Sequence, residues 1–160
     1  MIHLRTKEGI FNFRVAGILL QDDKILLHQM SNENTYSLPG GRVEINEDSK
    51  KALIREFNEE IGIEIEADRL LWVNESFFKQ RNIRHHELCF YYLIHQTGGD
   101  NILDNGQFYG KELAKNGLPF LKFYWMELDK VKSLPIRPPF LKTVLYDIPH
   151  EVVHIISDRY

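Results

Sequence analysis

Cysteine is almost missing from this chain: Cys89 stands alone among 160 residues. A single thiol excludes an internal disulfide, and its place in an apolar run reads as a buried thiol in a reducing compartment. Long apolar stretches are missing too. No segment is long enough to span a membrane, and the opening residues, MIHLRTKEGIFNFR, lack the continuous apolar core of a secretory signal. The cytoplasm is therefore the expected compartment. Nor does one charge dominate. Lys and Arg number 20 against 23 Asp and Glu, a net charge of −3 that gives no sign of nonspecific nucleic-acid binding. Internal repeats, low-complexity tracts and linkers are absent. With 43% hydrophobic and 27% charged residues, the composition suits one globular domain over residues 1–160.

What the chain does contain is concentrated in residues 41–63, GRVEINEDSKKALIREFNEEIGI. From Asp48 to Ile61 the apolar positions Leu53, Ile54, Phe57 and Ile61 fall on one arc of a helix with 3.6 residues per turn. Glu56, Glu59 and Glu60 fall on another, because spacings of three and four bring side chains together. Glu47 and Asp48 place negative charge where this helix begins, and Ser49 is available to cap it. Gly62 suits the left-handed position just past its end. The acidic cluster is not explained by these rules, since like charges one turn apart repel by roughly a few tenths of a kcal/mol per pair. Arg55, four residues before Glu59, offsets part of that. Clustered carboxylate oxygens are what a hard divalent cation such as Mg²⁺ selects. A solvated charged face is the usual reading of helical glutamates. Gly41 and Arg55 at their spacings favour the metal. Pro39-Gly40-Gly41, just ahead, permits tight backbone geometry and close approach of a ligand to the main chain.

Glycine, five residues, Glu47, seven residues, then Arg55-Glu56-Phe57-Asn58-Glu59-Glu60-Ile61-Gly62-Ile63 resembles, without a mismatch, the Nudix box G-x5-E-x7-R-E-U-x-E-E-x-G-U. A chance match in a chain this long has a probability on the order of 10⁻⁷. The resemblance implies an α/β/α sandwich with a mixed β-sheet. It also implies hydrolysis of a nucleoside diphosphate linked to another group, with Mg²⁺ or Mn²⁺ as cofactor. Carried over by position, Glu56, Glu59 and Glu60 hold the ions, one of them being the alternative acceptor of the attacking water's proton. The carbonyl of Gly40 joins the metal shell, and Arg55 and Glu47 orient the box. The family commonly adds an acidic ligand from outside the box, for which Glu112 is the first candidate and Glu87 the second. Arg42, next to the predicted site, is the candidate phosphate contact. Arg14, Arg81 and Arg84 are further arginines without that placement. Two other readings stay open. One is a non-catalytic nucleotide-sensing module, against which the intact glutamates argue. The other is an isoprenoid diphosphate isomerase of the same fold, for which Cys89 does not look like the required nucleophile.

Outside the box, residues 11–20 and 24–28 read as strands joined by the turn Gln21-Asp22-Asp23. Residues 63–66 and 70–78 read as extended. Residues 85–95 are apolar on both faces, as expected of a central, doubly covered strand. Residues 123–128 read as a strand and 138–146 as a proline-opened helix. Residues 152–156 read as a final strand or a partner contact, and a homodimer stays open. Residues 101–122 are expected to form a long connection, with a short helix over 109–115. His85 and His86, adjacent on a strand, face opposite ways and cannot share a metal. Phe77, Phe78 and Tyr109 read as core residues before base-stacking ones. The nucleotide-type substrate itself is not legible, because specificity lives in variable loops.

Overall fold

The structure, a computed structural model, describes residues 1–31, 33–102 and 106–158. Nine strands, β1 (His3–Arg5), β2 (Ile10–Gln21), β3 (Lys24–Met30), β4 (Tyr36–Ser37), β5 (Ile63–Gln80), β6 (Ile83–Gly99), β7 (Gln107–Tyr109), β8 (Leu121–Glu127) and β9 (Val153–Asp158), share one sheet. Its order is β7-β8-β3-β2-β6-β5-β9, with β1 added to β2 and β4 to β3. β2 runs parallel to β6 and β9 parallel to β5, while the other pairs are antiparallel. The mixed sheet with few helices is the α/β architecture expected. No helix of the described residues is long and apolar enough to cross a membrane.

Strand alternation sends side chains of β2 and β6 to opposite faces and so builds two cores. Val15, Leu19, Tyr92 and Ile94 face helix α1 (Ser49–Glu60), whose Ala52, Leu53 and Phe57 are buried against them. Burying Leu53 and Phe57 contributes roughly 1.5–3 kcal/mol each, which fixes the helix and, with it, the acidic arc. Ala16, Ile18, Cys89 and Tyr91 face the other way, under Val131 of a 3-10 turn (Leu128–Ser133) and Leu141 and Leu145 at helix α2 (Leu141–Val144). β6 lies between β2 and β5, as its two apolar faces predict.

Several local expectations are corrected. Asp48, not Ser49, caps α1, its carboxylate accepting from the Lys51 amide at 3.0 Å. The Ser49 hydroxyl instead bonds the Tyr92 hydroxyl at 2.7 Å. Ile54 is 39% exposed and Ala52 takes its place in the core, because Ile54 lies at the edge of the apolar arc. The extended segments expected over 63–66 and 70–78 are one strand, since bulges between Ala67 and Arg69 and between Leu70 and Trp72 absorb the polar interruption. The helix expected over 138–146 shrinks to one turn, and the Tyr146 hydroxyl turns away to donate to the Leu128 carbonyl.

The helix expected over 109–115 does not form. Residues 107–109 pair with β8 instead, Phe108 stacking on Phe123 with centroids 5.2 Å apart. The Gly110 amide bonds the Leu121 carbonyl, and the Phe120 amide bonds the Glu112 carbonyl, so cross-strand bonds take the groups a helix would need. Residues 103–105 of this connection lie outside the described residues. Of the two alternatives for residues 152–156 the strand forms, shifted to Val153–Asp158 as β9. At the β2–β3 turn, Asp22 and Asp23 both take positive φ, 49° and 61°, the geometry of a tight hairpin.

Candidate active site

Helix α1 ends on Glu60, and Gly62, at φ 83°, turns the chain out of it into β5. The acidic arc is held from its centre by Arg55. Its Nε and Nη2 donate to the two carboxylate oxygens of Glu47 at 2.8 and 2.9 Å. Its Nη1 donates to Glu56 at 2.9 Å and to Glu59 at 3.1 Å, and Nη2 also reaches the Arg42 carbonyl at 3.1 Å. The planar fork thus ties the loop before the helix to three carboxylates, geometry that a lysine cannot reproduce. Glu47 also accepts from the Glu44 amide at 3.0 Å. The Arg55 hydrogen bond, ahead of that backbone bond, lowers the Glu47 pKa, while the same carboxylates raise that of Arg55.

Glu56 and Glu60 face inward, and Glu59, whose side chain is 52% exposed, faces out. Burial raises the pKa of Glu56 against the lowering influence of Arg55. Glu60 is only 8% exposed. Burial first, then the nearby charges of Glu56 and Glu112, push its carboxyl up to about 8. Without a cation the carboxyl therefore holds its proton at neutral pH, because a further negative charge in that place is disfavoured, and a cation seated there would favour its carboxylate form.

The glycine pair is shaped by what touches it. At Gly41 a methyl group would meet the Glu56 carboxyl at 2.1–2.3 Å, so only glycine lets that side chain lie against the backbone. At Gly40, with φ 147°, a methyl group would meet the Val15 carbonyl at 2.2 Å. The carbonyls of Pro39 and Gly41 accept from the amides of Gly17 and Val15, both at 2.9 Å. The intervening Gly40 carbonyl is not part of that pairing.

The two candidates for an outside ligand separate. Glu112 reaches the pole of the helix, where the neighbouring Lys111 amide donates to the Glu60 carbonyl at 2.7 Å and Glu112 adds its repulsion to the Glu60 carboxyl. Glu87 sits on β6 opposite Asn12 and acts on Arg14, Arg42 and His85 instead. Among the described residues no group of three or more His, Cys, Asp or Glu is arranged to hold an ion as it stands, consistent with Arg55 occupying Glu56 and Glu59. The donor chemistry is nonetheless all oxygen, which fits Mg²⁺ or Mn²⁺ and not a soft metal.

Arg42 lies in an isolated antiparallel bridge with Arg14, and its Nε is buried without a partner among the described residues. Burial and then the Arg14 charge lower its pKa. Arg14 was legible in the sequence only as one arginine among several. Here it is half-buried on the face of β2 that carries Ala16. Burial opposes its charge, but Glu87 and other neighbours, Glu60 among them, outweigh that and raise its pKa. His28 is a second residue that sequence reasoning passed over. It is 7% exposed, and burial followed by Arg14 lowers its pKa to about 3. The available signal was a polar residue inside a strand otherwise apolar on both faces, Leu26-Leu27-His28 in β3 and Phe13-Arg14-Val15 in β2. Cys89, buried beside these groups, has its thiol pushed up by burial to about 12, far from a nucleophilic thiolate at neutral pH. Phe77 and Phe78 are half-buried and stack on His86 and His85, with centroids 4.5 and 4.9 Å apart, whereas Tyr109 is 62% exposed, which corrects its reading as a core residue.

The family model of the NUDIX domain matches residues 11–146, and the chain belongs to that family. An ADP-ribose pyrophosphatase of Methanocaldococcus jannaschii is 32% identical over 112 residues, 68% of this chain and 65% of that protein. An uncharacterized Nudix hydrolase of Bacillus subtilis, YvcI, is 28% identical over 127 residues, 78% of this chain and 72% of its own. The chain thus spans about two thirds of the length of these curated relatives. The solved structure of an ADP-ribose pyrophosphatase from Streptococcus suis shares the fold, with a TM-score of 0.59 at 17% identity over 91% of this chain and 98% of the other.

Proposed function

We propose that this chain is a Mg²⁺- or Mn²⁺-dependent pyrophosphohydrolase that cleaves a nucleoside diphosphate linked to another group, in the cytoplasm. The observation that carries the reading is Glu60, a carboxyl buried at the end of the box helix beside Glu56 and near Glu112. Glu56, Glu59, Glu60, the Gly40 carbonyl and Glu112 are the proposed holders of the metal. When bound, the metal neutralises phosphate oxygens and lowers the pKa of a water positioned for in-line attack. Arg55 sets the carboxylates at their mutual spacing through the bonds described above. Glu56 and Glu60, desolvated, are the groups suited to accept the proton of that water. Arg42, next to the glycine turn of the box, is the proposed phosphate contact.

Incubation with Mg²⁺ and a panel of nucleoside triphosphates, oxidised nucleotides, ADP-ribose, sugar nucleotides and dinucleoside polyphosphates, followed by phosphate-product analysis, tests this. At least one member should be split at a phosphoanhydride bond, and EDTA should abolish the reaction. Undiminished turnover in excess EDTA, after removal of bound metal, rejects the metal mechanism. Inertness toward the whole panel rejects the hydrolase reading.

A further inference from the structure

The two ends of the sheet differ. At one end β7 is three residues long, and an edge so short offers little to a further strand. At the other end β9 runs for six residues and pairs with β5 without a bulge. Among the described residues nothing pairs with its outer side. Edges of this length are ordinarily blunted by lysine, proline, a bulge or a covering element. Residues 153–157, Val-His-Ile-Ile-Ser, contain neither lysine nor proline. Val153 and Ile156 are 41% and 67% exposed.

The strand is fastened from both faces. Asn74, buried on β5, donates from Nδ2 to the Ile155 carbonyl at 3.1 Å and to the Ser157 hydroxyl at 3.0 Å. On the other face the His154 ring bonds the Glu75 carboxylate at 2.8 Å. Ile155 packs against the core that holds Leu141, and Ile156, one residue on, turns the opposite way into solvent. A strand fixed in this manner has little freedom left to lose on binding.

The composition of β9 selects its partner. An added strand sets side chains directly opposite one another, and like charges so placed are destabilising. A strand that pairs with its own copy about a two-fold axis risks such clashes, whereas a foreign strand can compensate charge with charge. Residues 153–157 hold no Lys, Arg, Asp or Glu, and His154 already faces Glu75. A two-fold near Ile156 lays that side chain against the partner's Ile156. The β-branched Val153, Ile155 and Ile156 suit the pairing.

We propose that β9 is the contact surface of a symmetric homodimer, in which two copies of this chain pair antiparallel along this edge and join their sheets into one. The inference does not depend on the hydrolase reading.

Sedimentation equilibrium of the full chain, from about 1 μM to 0.5 mM, should show passage from 18.9 kDa to twice that mass, with a dissociation constant of about 1–100 μM, as suits a small contact. Hydrogen exchange followed by mass spectrometry should slow at β9 over the same range and stay unchanged at β7. Ile156→Lys should leave the Tm of the monomer unchanged and raise the dissociation constant at least about a hundredfold, because like charges then meet at the axis. Ile156→Glu should also dissociate the dimer, and an equimolar mixture of the two variants should associate again. The wild-type exchange pattern is read whether or not either variant folds. A chain that stays monomeric throughout the range overturns the inference and leaves the edge to a strand from another protein. A dimer without protection at β9, a dimer that persists in folded Ile156→Lys, a mixture that stays monomeric, or growth beyond the dimer overturns it as well.

Discussion

Replacing Glu60 with glutamine should make the metal-free protein more stable, and increasingly so as pH rises. The native Glu60 carboxyl titrates near 8 rather than 4.5, so between those values the folded chain holds a proton that the unfolded chain has released. Unfolding then gives up that proton, and wild-type stability falls with rising pH through the window. Each pH unit inside it is worth at most about 1.4 kcal/mol. The full span gives a ceiling of about 5 kcal/mol, and relaxation of the site brings the expected gain of Glu60→Gln at pH 9 to about 2–5 kcal/mol. At pH 5 a protonated glutamic acid and a glutamine differ little, so the two proteins should nearly coincide. Urea unfolding in EDTA at several pH values measures this. Groups that do not feel Glu60, His28 among them, cancel in the difference, whereas Glu56 and Glu112, which crowd it, contribute to the effect measured. Added Mg²⁺ should stabilise the wild type and leave the variant almost unchanged. A stability difference that stays constant from pH 5 to pH 9 would refute the argument that Glu60 is a desolvated, charge-crowded carboxyl.

Other perturbations separate fold from chemistry. Gly41→Ala pushes only against the end of the Glu56 side chain, so thermal stability should change by no more than about 1 kcal/mol while kcat falls at least tenfold. Gly40→Ala meets the backbone of β2 and should instead lower Tm markedly; equal Tm values for the two variants would contradict this contrast. Glu112→Gln should raise the Mg²⁺ concentration needed for half-maximal rate with little effect on Tm, and Glu87→Gln should not; the reverse pattern in a metal titration moves the outside ligand to β6. Arg55→Lys keeps one charge but loses the fork that joins Glu47, Glu56 and Glu59, so kcat should drop by about one to two orders of magnitude. Wild-type kcat in a folded Arg55→Lys protein would show that the clasp is dispensable.

The box helix was readable because two independent codes overlap there. Apolar spacing placed Leu53 and Phe57 in the core, and the carboxylates at three- and four-residue spacing needed a cause beyond folding. Its cap was misplaced by one residue because Asp48 and Ser49 are both competent, and the choice fell to Tyr92, forty-three residues away, which engages the serine. The strand β7 was hidden for a related reason. Residues 109–115 carry local helix preference, but Phe108 finds Phe123 across the sheet, and a cross-strand contact leaves no trace in local periodicity. The same limit applies to His28 and Arg14, ordinary letters in the sequence that line one cleft only in the folded chain.

The clasp formed by Arg55 also bears on how the site responds to ions. Its guanidinium already spans Glu56 and Glu59 in the structure. Under the proposed metal role, an arriving ion competes with an internal positive charge instead of meeting bare repulsion. Loading then becomes an exchange of cations whose net electrostatic gain is a difference between two favourable states. Such a site keeps its carboxylates together at low magnesium, and it responds in a graded way as the free ion concentration changes.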